Sequence, residues 1–448
     1  MKKAVVMGTF DSESFWREQS LSKLPAIIDR DASNIVIAMD ELLFALCEKN
    51  DKLITRFKME DALKQYLSDI GFIFSNNEID LDDSSEVHSS QSYKCNFQLL
   101  VETRQKEYFR SFLNEVTCLS PYSVLPYTKQ ACQTYDLRYD FPDTNIVKMV
   151  NSKLYSYHLN SLIIGRDHGK LVDDSKLIED YGMEYLKHGS FLIKDLFGVS
   201  GKGNLFVDSE NMLKRIVHYV EKQEKKGQCT KFLLEPFLCK EIDFSCQFLI
   251  DQDGSFTILS IQRLFNSNFA YLGSSTADKT LLELLEKEKY FTIIERIANH
   301  LYKDGYYGNV CIDSMILKNG EIVPIVEINA RKSMGLLNCY LDKHLESYGV
   351  KGSISFLSVG YSGNNTLDDI LSAMESENIL FMPGYDKGVI PLSSNTLFIN
   401  RKLNDIKPVK LFKGRFYFST VSNNPNEGFE IREKMKGLLI SQGFNVYN

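Results

Sequence analysis

The stretch from residue 309 to 331, NVCIDSMILKNGEIVPIVEINAR, constrains the fold of this 448-residue chain more than any other. It contains two runs rich in β-branched residues joined by a Lys-Asn-Gly turn, and it therefore predicts a β-hairpin. Because side chains alternate between the two faces of a strand, Glu327, Asn329 and Arg331 would project from one face. Three polar groups on one face of an apolar strand indicate a binding site.

The register of this hairpin decides whether Asp313 belongs to the same site. A two-residue Asn-Gly loop would place Asp313 opposite Val326, on the other face from Glu327. A three-residue loop, Lys318–Gly320 with its glycine in the left-handed conformation, puts both carboxylates on one face, and so does a bulge near Pro324. We predict one of these two arrangements. Two facing carboxylates repel each other without a cation, and oxygen ligands of this kind suit Mg²⁺.

Composition and charge narrow the class of protein. Hydrophobic residues make up 44 % of the chain, which is ample for packed cores. The net charge of -7 gives no basic footprint for a nucleic acid. Nine scattered cysteines without a Cys-x-x-Cys pair indicate free thiols in a reducing compartment. No apolar run is long enough for a membrane span or a signal peptide, so we expect a cytoplasmic protein without membrane partners.

Strand-like and helical segments alternate in the first third of the chain. Strands are predicted at 3–8 and at 34–40 (NIVIAMD), with a helical pattern near 43–70, and this alternation predicts an α/β layer with a parallel sheet. Beyond residue 350, KGVIPLSSNTLFINRK and KGRFYFSTVS have the pattern of strands. A helix follows, with Asn424 as its N-cap and Pro425 at its first position. These segments predict a small α+β unit.

A glycine-rich loop lies in FLIKDLFGVSGKGN, residues 191 to 204, between two strand-like segments. Such a loop lets the backbone approach a phosphate closely, although an ordinary hairpin turn is the alternative. It matches neither a Walker A loop nor the dinucleotide fingerprint. Lys194 lies in the apolar strand before the loop, where a lysine needs an anionic partner such as a phosphate. Lys153 is a second candidate cation, with a surface charge as the alternative. The candidate loop residues are Gly198, Ser200, Gly201 and Gly203.

The segment FLLEPFLCKEIDF, residues 232 to 244, offers a candidate site for a nucleotide base. We expect Pro236 to interrupt the strand and to free the backbone groups of its neighbours for an adenine edge. Glu241 or Asp243 would then bind the ribose hydroxyls. A carboxylate at either position is more often part of the surface. The candidate adenine contacts are Glu235, Pro236, Phe237 and Leu238.

The order of these motifs along the chain resembles that of ATP-grasp enzymes. The matching elements are Lys153, Lys194, the GVSGKG loop, EPFL, Glu241, Asp313 and the E-x-N-x-R run. The flanking segments are also similar to those of the natural-product peptide ligases of the pheganomycin type. This resemblance implies an α/β and α+β multidomain architecture: a Rossmann-like pre-ATP-grasp domain (1–147), an ATP-grasp domain (148–345) and a small α+β C-terminal domain (346–448).

The resemblance also implies an activity. ATP, with Mg²⁺ or Mn²⁺, would phosphorylate an amino-acid or peptide carboxylate, and an amine would then attack the acyl phosphate after ADP forms. Lys153 and Lys194 would contact the phosphates, the segment from Glu235 to Leu238 would hold adenine, and Glu241 would bind ribose, with Asp243 as the alternative. The implied metal ligands are Asp313, Glu327 and Asn329, and the implied phosphate or acyl-phosphate contacts are Arg263 and Arg331.

Two other functions compatible with this sequence are kept as alternatives. The acceptor is a carrier-protein thiol in the first, which would give a thioester. The second is a nucleotide-binding protein without turnover. Small-molecule carboxylates and amines are the expected partners in the leading hypothesis, and the sequence indicates no oligomeric state.

Overall fold

The N-terminal part of the chain forms a parallel sheet in the computed structural model, which describes residues 3–27, 29–81, 93–165, 169–198, 203–267, 270–403 and 411–448. Its strands, in the order β3-β2-β1-β4, are β1 (Ala4–Met7), β2 (Asp51–Leu53), β3 (Phe74–Asn76) and β4 (Cys118–Pro121). All three pairings are parallel, which confirms the predicted α/β layer. The helices of this part are α1 (Glu13–Trp16), α2 (Arg30–Ile37), α3 (Asp61–Asp69), α4 (Asn96–Glu102), α5 (Lys106–Phe112) and α6 (Thr128–Thr134).

The strand predicted at residues 34–40 is wrong, because this segment is helical. It contains the end of α2 and the start of a 3-10 helix, Met39–Leu46. Asp29 caps α2 by accepting a hydrogen bond from the Ala32 amide at 3.1 Å. The β-branched side chains then pack with Ile399 of a distant helix, so tertiary packing overrides their strand propensity. The helical pattern near 43–70 is divided among the 3-10 helix, β2 and α3.

A second sheet, called the small sheet below, has the antiparallel order β5-β8-β6-β7. Its strands are β5 (Lys170–Val172), β6 (Phe191–Asp195), β7 (Asn204–Val207) and β8 (Phe232–Pro236). The helices α7 (Thr144–Val150) and α8 (Lys153–Ile164) precede this sheet in the chain, while α9 (Ser175–Leu186) and α10 (Glu210–Glu224) pack against it. Leu24, from the N-terminal part of the chain, joins the hydrophobic core of this sheet.

The largest sheet has nine strands in the described part of the chain, in the order β13-β12-β9-β10-β11-β14-β16-β15, and β17 pairs with β14. They are β9 (Lys240–Ile250), β10 (Phe256–Ser267), β11 (Ala270–Thr276), β12 (Gly308–Leu317), β13 (Ile322–Asn329), β14 (Gly352–Tyr361), β15 (Gly388–Pro391), β16 (Phe412–Val421) and β17 (Asn445–Val446). The helices are α11 (Lys279–Lys287), α12 (Tyr290–Lys303), α13 (Met334–Leu345), α14 (Leu367–Ser376), α15 (Asn395–Lys402) and α16 (Pro425–Ser441). This sheet contains strands from both sides of the boundary predicted at residue 345, and the predicted domain boundaries stay predictions.

The C-terminal segments follow the sequence patterns in part. Strands β15 and β16 and the cap of α16 by Asn424 confirm three of the predicted elements. The strand pattern of 395–402 is wrong, because this segment forms α15. The N-terminal end of α15 binds the buried carboxylate of Glu41, which accepts hydrogen bonds from the Ser394 and Asn395 amides at 2.9 and 2.8 Å. Across the described ranges, the helices are too short or too polar to cross a lipid bilayer.

Candidate active site

The hairpin of β12 and β13 lies at the edge of the nine-stranded sheet and has the predicted register. The Leu317 amide donates to the Glu321 carbonyl at 2.8 Å, which closes a three-residue loop. Gly320 in this loop has a φ of +84°. Farther from the loop, a bulge follows Asp313 opposite the Pro324 region, and Asp313 pairs directly with Glu327. The loop and the bulge are both present, and the two carboxylates share one face.

The amide of Asn329 joins the carboxylate pair. Its Nδ2 donates to Asp313 Oδ2 at 3.0 Å, and its Oδ1 accepts from Arg331 Nη2 at 2.9 Å. Burial, reinforced by the charge of Glu327, raises the pKa of Asp313 to about 7. Among the residues that the structure describes, no three His, Cys, Asp or Glu side chains are placed to hold a metal. The two carboxylates suit Mg²⁺, which takes its remaining ligands from water and phosphates, and the Asn329 oxygen would join them once the amide rotates away from Arg331.

Lys153 lies at the first position of α8 and points into this cluster. Its Nζ donates to Glu327 Oε1 at 2.7 Å and to the Gly198 carbonyl at 3.0 Å. The Ser152 hydroxyl caps the helix by accepting from the Tyr155 amide. Only 4 % of the Lys153 side chain is exposed, so the alternative of a surface charge is wrong. The structure therefore brings together a candidate phosphate contact and a candidate metal ligand.

Lys194 is buried in β6 and forms an ion pair with Glu235 of the neighbouring β8. The loop after β6 returns to the strand at Gly203, whose carbonyl accepts from the Asp195 amide at 2.7 Å. Gly203 has a φ of +90°, a conformation that favours glycine. Gly198 and Gly203 flank the loop as predicted, while Ser200 and Gly201 lie outside the described residues. Lys194 and Lys153 line one pocket together with Glu235.

The proposed interruption of β8 at Pro236 is wrong. Pro236 remains paired with Phe191, and the Phe237 amide donates to the Ser190 carbonyl at 2.9 Å. The Phe237 amide is therefore engaged within the protein and is not freed for a base. Leu238 follows in the connection to β9 and is half-buried.

The two ribose candidates lie at the start of β9. Asp243 lies on the same sheet face as Asp313. Its partner in β12 is two residues after Asp313, and side chains two residues apart on a strand share a face. Its carboxylate accepts from Asn266 Nδ2 at 2.8 Å and from Lys240. Glu241 is exposed. The geometry leaves both carboxylates as candidates for ribose.

The two predicted arginines differ in position. Arg331 is buried, and its Nε and Nη2 donate to Glu13 Oε1 at 2.8 and 2.6 Å. Arg263 pairs with Phe244 in the neighbouring strand and therefore lies on the opposite sheet face from Asp313. It is exposed, with its Nη1 3.9 Å from Asp278 Oδ2. The structure does not bring Arg263 to the site, because the alternation of the strand directs it away.

The sequence analysis missed three residues of the site. Glu13 comes from the N-terminal part and is 3 % exposed, and its Oε2 has no hydrogen-bond partner. Tyr122 follows β4, and its hydroxyl accepts from Arg331 at 3.2 Å. Asn160 lines the pocket of Lys153 and Lys194. No local pattern marks Glu13 or Tyr122, whereas Asn160 follows Lys153 at a spacing of two helical turns, which was a usable signal.

No protein-family model matches the chain. A curated relative, the butirosin acyl-carrier protein–L-glutamate ligase of Niallia circulans, is 24 % identical over 232 residues, 49 % of this chain and 53 % of the relative. The chain thus matches about half of the length of that relative.

Two solved structures have a similar fold. One is the biotin carboxylase domain of the Hydrogenobacter thermophilus 2-oxoglutarate carboxylase in complex with MgADP, ADP and bicarbonate. It has a TM-score of 0.52 and 13 % identity, and covers 100 % of this chain and 90 % of that chain. The other is N5-carboxyaminoimidazole synthase from Aspergillus clavatus with ADP, with a TM-score of 0.50 and 9 % identity over 88 % of this chain and 99 % of that chain. At these identities the likeness shows the fold alone.

Proposed function

We propose that this chain, which has the ATP-grasp fold, is an ADP-forming ligase that activates a carboxylate as an acyl phosphate and joins it to an amine. One observation supports this function above the others. The buried Lys153 bridges the glycine-rich loop and Glu327, whose strand partner is Asp313. A cation for phosphates and a pair of carboxylates for a metal therefore meet at one point, as phosphoryl transfer requires.

The chemistry needs no nucleophile from the protein. The substrate carboxylate oxygen attacks the γ-phosphorus of ATP, the bond to the bridging oxygen breaks, and ADP leaves with that electron pair. The amine then attacks the acyl carbon, the C–O bond breaks, and inorganic phosphate leaves as the nitrogen loses a proton. Mg²⁺, when bound, would neutralise charge on the phosphates. Asp313, Glu327 and Asn329 would hold it.

The cationic side chains would position and stabilise the reacting groups. Lys153 and Lys194 would bind the phosphate oxygens and exchange their present carboxylate partners for them. Arg331 would contact the acyl phosphate, since its guanidinium already lies beside Asn329. The low exposure of these three cations would strengthen their electrostatic contacts with the phosphates. The free state of all nine cysteines suits the reducing cytoplasm, where we place this activity.

A carrier-protein thiol is the second candidate acceptor. The curated relative is a ligase that acts on an acyl-carrier protein, and this favours the thiol over a non-catalytic role. A thioester would form by the same acyl phosphate, with the sulfur in place of the amine nitrogen.

The test is release of ADP from ATP and Mg²⁺ in a coupled assay. The substrates are single amino acids, pairs of amino acids, and an amino acid with a pantetheine-bearing carrier protein. Hydroxylamine in a parallel reaction captures any acyl phosphate as a hydroxamate, whatever the natural acceptor is. Release that needs two small molecules supports the amine ligase, and release that needs the carrier protein supports the thioester. Binding of ATP without release under every condition would contradict the ligase activity.

A further inference from the structure

Helix α8 presents a continuous polar face to the pocket of the two lysines. The pocket-lining residues of this helix are Lys153, Ser156, Tyr157 and Asn160. They follow the i, i+3, i+4, i+7 spacing that places side chains on one face of a helix. The apolar residues Leu159 and Ile163 of the same helix are buried in the core instead. A polar face on a packed helix needs partners, and the partners identify what the face binds.

Three of these four side chains have contacts within the protein, and the amide oxygen of the fourth has no hydrogen-bond partner. Lys153 pairs with Glu327, and the Ser156 hydroxyl accepts from the Ile328 amide at 3.0 Å. Asn160 is 8 % exposed, and its Oδ1 has no hydrogen-bond partner. A buried amide oxygen without a donor is unfavourable, and such groups in native proteins are usually satisfied by water or a ligand. The pocket is the space from which such a donor would come.

The helix sets the distance between Asn160 and the phosphate end of the pocket. Seven residues separate Lys153 from Asn160, which corresponds to about 10 Å along the helix axis at 1.5 Å per residue. Lys153 marks the metal and phosphate end, because it contacts Glu327 and the glycine-rich loop. Asn160 therefore lies beyond the phosphates, at the depth that the base of a bound nucleotide would reach. Apolar side chains of Leu233 and Ile325 line the same pocket. The pocket is nearly closed, so a base would enter it only as Lys153 and Lys194 leave their carboxylate partners for the phosphates.

We propose that Asn160 reads the base of the nucleotide, with its Oδ1 accepting a hydrogen bond from the exocyclic amine of adenine. Guanine carries a carbonyl oxygen at that position, to which the amide would donate only after rotating to present Nδ2, so a comparison with GDP reports whether the orientation of the amide is fixed. This inference rests on the proposed function, since it requires that the pocket bind a nucleotide.

The experiment measures nucleotide affinity by calorimetry, so it needs no turnover. The probes are ADP, purine riboside 5′-diphosphate, which lacks the exocyclic amine, and GDP, each with Mg²⁺. The wild-type protein is expected to bind ADP about tenfold more tightly than the purine analogue, the ratio for one hydrogen bond into a buried site. In Asn160→Leu the ratio should fall to about one, through loss of ADP affinity alone. Asn160→Ser replaces the leucine variant if that variant does not fold. Its hydroxyl is too short to reach the base, so the same fall in the ratio is expected.

A control variant and two kinds of contrary result separate the role of Asn160 from the proposed function. Leu162→Ala changes an exposed residue of the same helix and should keep the wild-type ratio. Equal affinities of the wild-type protein for ADP and the purine analogue would overturn the role of Asn160, whether or not the variants fold. An unchanged ratio in a folded Asn160 variant would do the same and leave the proposed ligase intact. Failure of the wild-type protein to bind any of the three nucleotides would instead contradict the proposed function itself.

Discussion

The ion pair between Arg17 and Asp195 is expected to hold the small sheet against the N-terminal part of the chain. Arg17 Nη2 donates to Asp195 Oδ2 at 2.8 Å, and Arg17 Nε lies 3.2 and 3.0 Å from the two carboxylate oxygens. The two side chains are 12 % and 9 % exposed. Asp195 follows Lys194 directly and also accepts from the Phe197 amide at 3.0 Å. Loss of Arg17 would therefore loosen the strand end that leads into the glycine-rich loop.

The expected magnitude follows from burial. Removing one partner of a buried ion pair costs about 3–5 kcal/mol, because the other charge stays buried without compensation. We expect Arg17→Leu to lower the free energy of local opening of β6 by that amount. Amide exchange at residues 191–198 would then accelerate by about a hundredfold to a few thousandfold. Hydrogen exchange with mass spectrometry measures this directly, and the amides of α12 serve as an internal reference.

A nearby exposed pair provides the matched control. Lys148 Nζ lies 2.8 Å from Glu18 Oε1, but these side chains are 31 % and 59 % exposed. Exposed pairs contribute about 0.2–1 kcal/mol, so Lys148→Leu should hardly change exchange in β6. The double variant Arg17→Leu/Asp195→Asn should lose less than the sum of its single variants, since no charge is then left unpaired. An effect of Arg17→Leu no larger than that of Lys148→Leu would refute the reasoning.

Three further predictions concern the site and its surroundings. Glu327→Gln should abolish ADP formation in a protein that still folds, as circular dichroism would show; near-normal turnover would count against a metal role. Lys194→Ala should weaken ATP binding about 10- to 100-fold in calorimetry, and unchanged affinity would show a purely structural lysine. Burial lowers the pKa of Lys332 from 10.5 to about 8, so the folded protein binds fewer protons than the unfolded chain between those values and gains stability as pH rises. Urea unfolding of Lys332→Met should lack this gain of about 3 kcal/mol, and an identical pH profile would contradict it.

The hairpin of β12 and β13 was predictable because its determinants are local. The Lys-Asn-Gly turn, the proline opposite the bulge and the alternation of carboxylates all lie within 309–331. Turn chemistry selects the loop, and the need to place both carboxylates on one face selects the register. Strands β6 and β7, which flank the glycine-rich segment, were predictable for the same reason.

The helices at 30–37 and 395–402 were not predictable as such, because distant contacts determine them. Ile35 and Ile37 of α2 pack with Ile399 of α15, although each segment alone has the composition of a strand. Glu41 adds a polar contact between the same regions by accepting from the Ser393 hydroxyl at 2.6 Å. A single sequence does not reveal that these segments meet, so the intrinsic β propensity dominates the prediction.

The site residues also divide into those that local sequence predicts and those that distant contacts determine. The carboxylates and Lys194 follow from alternation and from the cost of a lysine in an apolar strand. The partner of Arg331 did not follow, because Glu13 lies more than 300 residues earlier in the chain. Arg263 was misplaced because the face on which it lies, relative to Asp313, depends on how both strands pair with β9. This pairing cannot be derived from the sequence.

The charges of the site explain why the nucleotide and a divalent cation would enter together. The cations Lys153, Lys194 and Arg331 each pair with a carboxylate, while Asp313 remains against Glu327. Burial, and after it the negative charge of Glu327, raises the pKa of Asp313. A nucleoside triphosphate alone would add further negative charge beside these carboxylates and would be repelled. With a divalent cation, the carboxylates gain a partner and release Lys153 and Lys194 to the phosphates, so binding exchanges ion pairs rather than leaving any charge buried alone.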